Sequence, residues 1–280
     1  MGSKMAANMI KKGTPLTVYN RTKGPAEELV KLGAVSAESG FDAVRDADIV
    51  FSMLSNPAVV KEVFWGAAGW LSAMKRGAIW VDCSTVNPSF SREAAGEAAK
   101  FGIRFIDAPV AGSKLAAENA EIVFAAGGSE EDIREIEPYC RQMGQKIMHI
   151  GETGQGSAYK MLVNAMLAQS MVVFGETVLL GEKMGISRDF LLEVLPNLPV
   201  IAPFTKAKTE MIKTGNYDVQ FPLEHMYKDL HLAALSAFEH DQPVYMANLA
   251  KEIYAGAANS GMGRMDFSAV FSYLEGKQRK

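Results

Sequence analysis

The stretch Gly151-Glu-Thr-Gly-Gln-Gly-Ser-Ala-Tyr-Lys160-Met-Leu-Val-Asn164 holds the residue types that proton transfer needs. Lys160 and Asn164 are four apart, which puts both side chains on one face of a helix entered through a glycine-rich turn. A lysine near a helix N-terminus, beside Met161 and Leu162, loses stability as a cation through desolvation and the helix dipole. Its pKa is expected to fall, making it an acid and base near neutrality. The alternative is a solvated lysine with a surface Asn164, although apolar neighbours would then leave that amide without an obvious partner. Lys228-Asp229-Leu230 is a second candidate. Lys228 can bind a substrate carboxylate or a cofactor amide with Asp229 orienting it, or the two form an ion pair internal to a helix. His149, His225, His231 and His240 lack the spacing of a metalloprotease or zinc finger, so no metal is expected.

Further candidates sit where short apolar runs end. Val18-Tyr-Asn20-Arg21-Thr22 closes one run with an arginine and neutral neighbours, which suits the 2′-phosphate of NADP over the free ribose of NAD, or is simply a solvated arginine. Met53-Leu-Ser-Asn-Pro57, Asp82-Cys-Ser84-Thr85-Val-Asn-Pro88 and Asp107-Ala-Pro-Val-Ala-Gly112-Ser113 end three more. Ligands of open α/β sheets bind along that edge. Ser84 and Thr85 can hydrogen-bond a nicotinamide or a substrate, or cap the next helix; Gly112 and Ser113 can offer backbone N–H groups to an anion. Gly2, at the start of the first helix, is either the last glycine of a dinucleotide-binding turn or an ordinary N-terminal residue.

The elements that position these residues alternate from residue 14 to about 150. Apolar runs at 16–20, 47–54, 78–82, 104–108, 121–125 and 146–150 are separated by helix-length segments, a pattern of β-α-β units and a parallel sheet covered on both faces. The first helix is expected over Ser3–Lys12, ended by Gly13, with Met5 and Met9 inward. Ser129 three residues before Asp132 resembles a capping box. After Gly151 the pattern turns helical: Ser157 to about Met184 is apolar on nearly every side in its middle and expected to be buried against a domain or a partner on several sides. Further helices follow over about 224–240 and 242–260, and the charged tail Glu275–Lys280 is expected to fray. The expected fold is therefore α/β, a Rossmann-like doubly wound domain over 1–152 followed by an all-helical domain over 153–280.

The 280 residues are 48% hydrophobic, with a net charge of −3. No basic field is available for nucleic acid. The two cysteines, Cys83 and Cys140, cannot build a disulfide framework, and a reducing, cytoplasmic setting is expected. The longest apolar stretch contains Asn164, Gln169, Ser170 and Glu176, so no membrane span is expected.

Taken in order, these segments resemble the β-hydroxyacid dehydrogenase family, which includes 3-hydroxyisobutyrate dehydrogenases and glyoxylate/succinic semialdehyde reductases. The likeness covers the whole chain, and Gly112-Ser-Lys114, Phe221-Pro-Leu223 and Asp266-Phe-Ser-Ala269 are most similar to the reductase branch. It implies hydride transfer between NADPH and a small carboxylated aldehyde or hydroxyacid, with Lys160 as general acid or base and Asn164 holding it in register. It implies cofactor contacts from Met1, Gly2, Asn20, Arg21, Thr22, Met53, Leu54, Ser55, Val59, Ser84, Thr85 and Lys228. Substrate contacts would come from Thr85, Ala111, Gly112, Ser113, Phe221 and Asp229. It also implies a homodimer or homotetramer through the helical domain. Oxidation of 3-hydroxyisobutyrate and a non-catalytic NADP-binding or assembly role are the alternatives; in the latter the lysine is typically replaced. Two departures stand out. Ala111 replaces the family's usual serine. The family also has a strand and two more glycines ahead of Met1-Gly2, so a sheet lacking its first strand and weak cofactor binding are expected of the chain as given.

Overall fold

A computed structural model describes residues 1–276, which form two compact units, the first Met1–Lys160 and the second from Met161 onward. The first contains α1 (Gly2–Lys11), β1 (Thr17–Val18), α2 (Lys23–Val30), β2 (Val35–Ser36), α3 (Gly40–Arg45), β3 (Ile49–Ser52), α4 (Pro57–Phe64), β4 (Ile79–Asp82), α5 (Pro88–Lys100), β5 (Arg104–Asp107), β6 (Val110–Ala111), α6 (Lys114–Glu118), β7 (Ile122–Gly127), α7 (Glu130–Met143) and β8 (Gly144–Gly151). The helix α8 (Gln155–Lys183) begins in this unit and continues into the next. The compact units divide inside α8, after Lys160, because the helix's first turn docks on the end of β5.

All six strands expected from the alternation form, and α1 buries Met5, Asn8 and Met9 on one face. Gly13 ends that helix with φ +83, a conformation that costs a glycine little. Ser129 Oγ accepts from the Asp132 N–H at 3.1 Å, starting α7 as the capping pattern implies.

Strand order is β3-β4-β5-β7-β6, with β8 on β7. Along β4, Ile79 and Val81 enter one core with Met5, Met9, Ile106 and Phe124, while Trp80 enters the other with Phe64, Phe90 and Phe105. That period of two is what a sheet covered on both faces requires. Trp80 stacks on Phe64 with ring centroids 3.8 Å apart.

The sheet departs from the expected all-parallel form, since β7 runs antiparallel to β5 and β6. A parallel return needs a crossover of a dozen or more residues. α6 spans only five, too few to carry the chain back along the sheet. The short pair β1-β2 stands apart from the six-stranded sheet, with no strand among the described residues joining β1 to β3.

The second unit holds the rest of α8 with α9 (Arg188–Val194), α10 (Thr209–Thr214), α11 (Leu223–Glu239), α12 (Tyr245–Ala257) and α13 (Val270–Leu274). Its core gathers Met171, Phe174, Val178, Met226, Leu230, Tyr254 and Phe271. α8 is long and apolar enough to cross a membrane by length and composition alone, and one of its sides is open in the single chain. Leu162, Met166, Val173 and Leu180 are more than half exposed, and their spacing puts them on one stripe. Glu275 does not fray: it pairs with Arg188 at 2.6 Å, which also holds Glu182 at 2.8 Å. Residues 277–280 lie outside the described residues.

Candidate active site

Lys160 lies in the second turn of α8, half-buried, on the wall of a cavity of about 220 Å³. Ala111 from β6, Val123 from β7, Lys146 and Met148 from β8 and Tyr159 complete most of that wall. The lining is mainly apolar with cations at two places. At the start of α8, the buried carboxylate of Asp107 accepts from the N–H of Gly154 and of Ser157, each at 2.7 Å. Burial pushes the Asp107 carboxyl up to about 6, against those backbone bonds. Asp107 was legible only as the start of a loop, since its partners lie 47 and 50 positions on.

The loop after β6 departs from the strand at Gly112, with φ +140. A Cβ there would stand 2.9 Å from Ile122 Cγ2 and 3.2 Å from Ala116 Cβ, so only glycine fits the turn. The Ser113 hydroxyl accepts from the Ala116 N–H at 3.2 Å, capping α6, and Gly112 and Ser113 are both exposed. Sequence reasoning missed Asn8, whose Nδ2 donates to the Ala117 carbonyl at 2.8 Å and ties α1 to α6.

Two loops assigned to the cofactor are fastened together. Trp80 Nε1 donates to Ser52 Oγ at 2.8 Å, and that hydroxyl donates to Asp82 Oδ1 at 2.8 Å. Asp82 Oδ1 also accepts from the Ser84 N–H at 3.1 Å, and Ser84 Oγ accepts from the Leu54 N–H at 2.9 Å. Ser84 is fully buried, and its hydroxyl latches the loop after β3 to the loop after β4. Met53, Leu54, Val59 and Thr85 are half-buried and Ser55 is exposed. A Cβ on Gly2 would meet Met53 Cβ at 3.3 Å, so this glycine packs α1 closely against the strand end, with the half-buried Met1 just before it. At the end of β1, Asn20 Nδ2 donates to the carbonyl and the hydroxyl of Thr22, both at 2.8 Å. Arg21 beside them is exposed.

In the helical unit, Asn164 Nδ2 donates to Asp229 Oδ2 at 2.6 Å, supplying the partner that the sequence left open. Asp229 Oδ1 lies 2.8 Å from Lys228 Nζ. Asp229 is 2% exposed, and its two oxygens clamp Asn164 and Lys228. Phe221 is presented by a carboxylate that sequence reasoning did not assign. Asp266 Oδ2 accepts from the Phe221 N–H at 3.1 Å and from the Gln220 N–H at 3.2 Å, while Oδ1 pairs with Lys208 at 2.9 Å. Among the described residues no group of three or more His, Cys, Asp or Glu side chains is placed to hold a metal ion.

A doubly wound sheet leading into a helix that carries Lys160, together with the matches that follow, makes the chain an NAD(P)-dependent oxidoreductase acting on hydroxyl or carbonyl groups. Residues 1–151 match the NAD binding domain of 6-phosphogluconate dehydrogenase, and residues 154–274 match the family described as NAD-binding of NADP-dependent 3-hydroxyisobutyrate dehydrogenase. The chain belongs to the β-hydroxyacid dehydrogenase family. It is 34% identical over 275 residues to glyoxylate/succinic semialdehyde reductase 2, chloroplastic, of Arabidopsis thaliana, covering 98% of this chain and 77% of that one. It is 33% identical over 281 residues to the mitochondrial 3-hydroxyisobutyrate dehydrogenase of Rattus norvegicus, covering 98% and 84%. The solved 3-hydroxyisobutyrate dehydrogenase of Mycobacterium tuberculosis superposes with a TM-score of 0.88 at 28% identity, covering 98% of this chain and 95% of that one.

Proposed function

We propose that the protein reduces short carboxylated aldehydes of the glyoxylate and succinic semialdehyde kind with NADPH. One observation carries this: Lys160 opens on a small, mainly apolar cavity that Lys146 also lines. A carbonyl carbon with a short chain suits the apolar wall, and a carboxylate suits the second cation. Lys146 is exposed and makes no ion pair among the described residues, so its charge is available to an anion. Ala111 on the same wall leaves room where a hydroxyl would stand, which favours recognition by charge over recognition by a neutral hydrogen bond.

The residues present suit a dinucleotide. At the end of β1 the donor set is Asn20, Arg21, Thr22 and Lys23, with no carboxylate from 19 to 26, the chemistry a 2′-phosphate selects and a ribose 2′-hydroxyl does not. Gly2, Met53, Leu54, Ser55, Val59 and Thr85 would hold the remainder. When bound, the reduced cofactor supplies the hydride. The chain's own part is to hold the carbonyl at Lys160 and give its oxygen a proton from Nζ as the alcohol forms. Asn164, one turn further along α8 and fixed by Asp229, would hold the lysine and substrate oxygen in register, and Lys228 would meet the cofactor. In the oxidative direction Lys160 would accept the proton, as a β-hydroxyacid such as 3-hydroxyisobutyrate requires.

The apolar stripe on α8 supports assembly as a homodimer or homotetramer through the helical unit. Buried free thiols at Cys83 and Cys140 suit a reducing, cytoplasmic setting.

The test is NADPH oxidation with glyoxylate and with succinic semialdehyde, alongside NAD(P)-dependent oxidation of 3-hydroxyisobutyrate. Lys160→Ala should lose most of the rate and keep NADPH binding. Full activity in that variant would overturn the assignment; preserved binding with no turnover of any short acid would support the non-catalytic role.

A further inference from the structure

Helix α8 starts without a side chain of its own to cap it. The first N–H groups of a helix have no intrahelical acceptor, and the usual remedy is a Ser, Thr, Asp or Asn just before it. Here that place is Gly154. The acceptor comes instead from β5: Asp107 Oδ1 takes the Gly154 N–H and Oδ2 the Ser157 N–H, both at 2.7 Å. Because both oxygens are engaged by groups on the same turn, the carboxylate sets the height and the rotation of that turn together.

The neighbourhood is shaped for this fastening. A Cβ on Gly127 would stand 2.6 Å from Asp107 Oδ1 and 2.9 Å from the Gly156 nitrogen. A Cβ on Gly156 would strike the Ala125 carbonyl oxygen and come within 2.8 Å of the Asp107 carbonyl oxygen. The glycines before Lys160 therefore have the composition of a phosphate loop but another use: they let the turn lie flat on the strand ends. A second fastening joins Ser157 Oγ to Ser91 Oγ of α5 at 2.8 Å, with both residues fully buried.

Lys160 follows Ser157 by three positions, so the origin of its side chain moves with this turn. We propose that Asp107 is a positioning residue for the proton donor, setting through the first turn of α8 where Lys160 Nζ meets the substrate oxygen. This rests on Lys160 being that donor. An amide cannot replace the carboxylate, since Asn offers one acceptor oxygen and turns its NH₂ against the other N–H. Misplacement of a reacting group by about 1 Å can cost about 100-fold in rate.

The experiment compares wild type, Lys160→Ala, Asp107→Asn and Ser91→Ala for kcat, substrate KM, NADPH affinity by fluorescence titration, and melting temperature. Asp107→Asn is expected to lower kcat about 10- to 100-fold while substrate KM and NADPH affinity stay within about threefold. Ser91→Ala, which removes only the second fastening, is expected to lower kcat about threefold or more. Folded Asp107→Asn with wild-type kcat, even at a lower melting temperature, would overturn the proposal, as would a loss of NADPH binding in parallel with kcat. If Asp107→Asn does not fold, Ser91→Ala decides, and wild-type kcat there overturns it. An active Lys160→Ala would instead sink the assignment of the proton donor, so the two failures are distinct.

Discussion

Asn164 and Asp229 meet at 2.6 Å, amide to carboxylate, and each is only 2% exposed. The bond joins α8 to α11 within the helical unit and orients an amide that would otherwise be buried alone. Removing one partner leaves a buried polar group unsatisfied, at a cost of about 1–3 kcal/mol. Asp229→Ala and Asn164→Ala are each expected to destabilise by that order in urea unfolding. The double variant is expected to cost less than the sum, because the second change removes the group left stranded by the first. Strictly additive losses would show that the two do not act as a pair.

The Asp107 carboxyl predicts opposite pH trends for stability and rate. Burial raises it from an ordinary 3.8 to about 6, so the folded chain holds this proton more tightly than the unfolded one. The stability contributed by the protonated form is fully present below about pH 4 and is lost as pH rises through about 6, roughly 3 kcal/mol in all. Stability relative to Asp107→Asn should fall over that interval and level off above it. The rate should instead rise over the same interval, since the ionised carboxylate offers both oxygens to the turn below Lys160. A flat difference in unfolding free energy between pH 4 and 7 would contradict the titration.

Arg21 is expected to set the choice of nicotinamide. Losing a charge-assisted hydrogen bond costs about 1.5–3 kcal/mol, or about 10- to 100-fold. Arg21→Asp should lower kcat/KM for NADPH by that factor and leave NADH equal or better. An unchanged ratio of the two cofactors would place the 2′-phosphate elsewhere.

The stripe of Leu162, Met166, Val173 and Leu180 on α8 predicts self-association. Leu162 and Met166 are 68% and 65% exposed, and large apolar patches of this kind mark interaction surfaces. Sedimentation should give a dimer or tetramer for wild type and a smaller species for Leu162→Lys with Met166→Lys. A monomeric wild type at tens of micromolar would refute this.

Much of the architecture follows from local pattern. The alternation at 78–82 and 104–108 specifies β4 and β5, because side chains on successive strand residues enter opposite cores. Ser129 with Asp132 marks the start of α7, and Lys160 with Asn164 marks one face of α8, because both depend only on helical spacing. β2 and β6 escaped detection, since two residues each hold no period and form only where a neighbouring strand supplies hydrogen bonds. The direction of β7 was equally hidden, being set by how little chain α6 leaves for a return.

Side-chain tasks were decided by partners distant in the chain. Ser84 and Thr85 look alike in the sequence, and only the fold brings the Leu54 N–H, 30 positions earlier, onto the Ser84 hydroxyl. Asp229 looked like a partner for Lys228 alone, until Asn164 arrived from 65 positions away. Asp107 and Asp266 showed no role at all, because a carboxylate's work depends on which N–H groups the fold brings to it. The sequence by itself determined the longer helices, most strands, the family and the shared helix face of Lys160 and Asn164. Only the tertiary structure decided which polar side chains hold neighbouring segments together, because a buried polar atom needs a partner and the partners here came from remote segments.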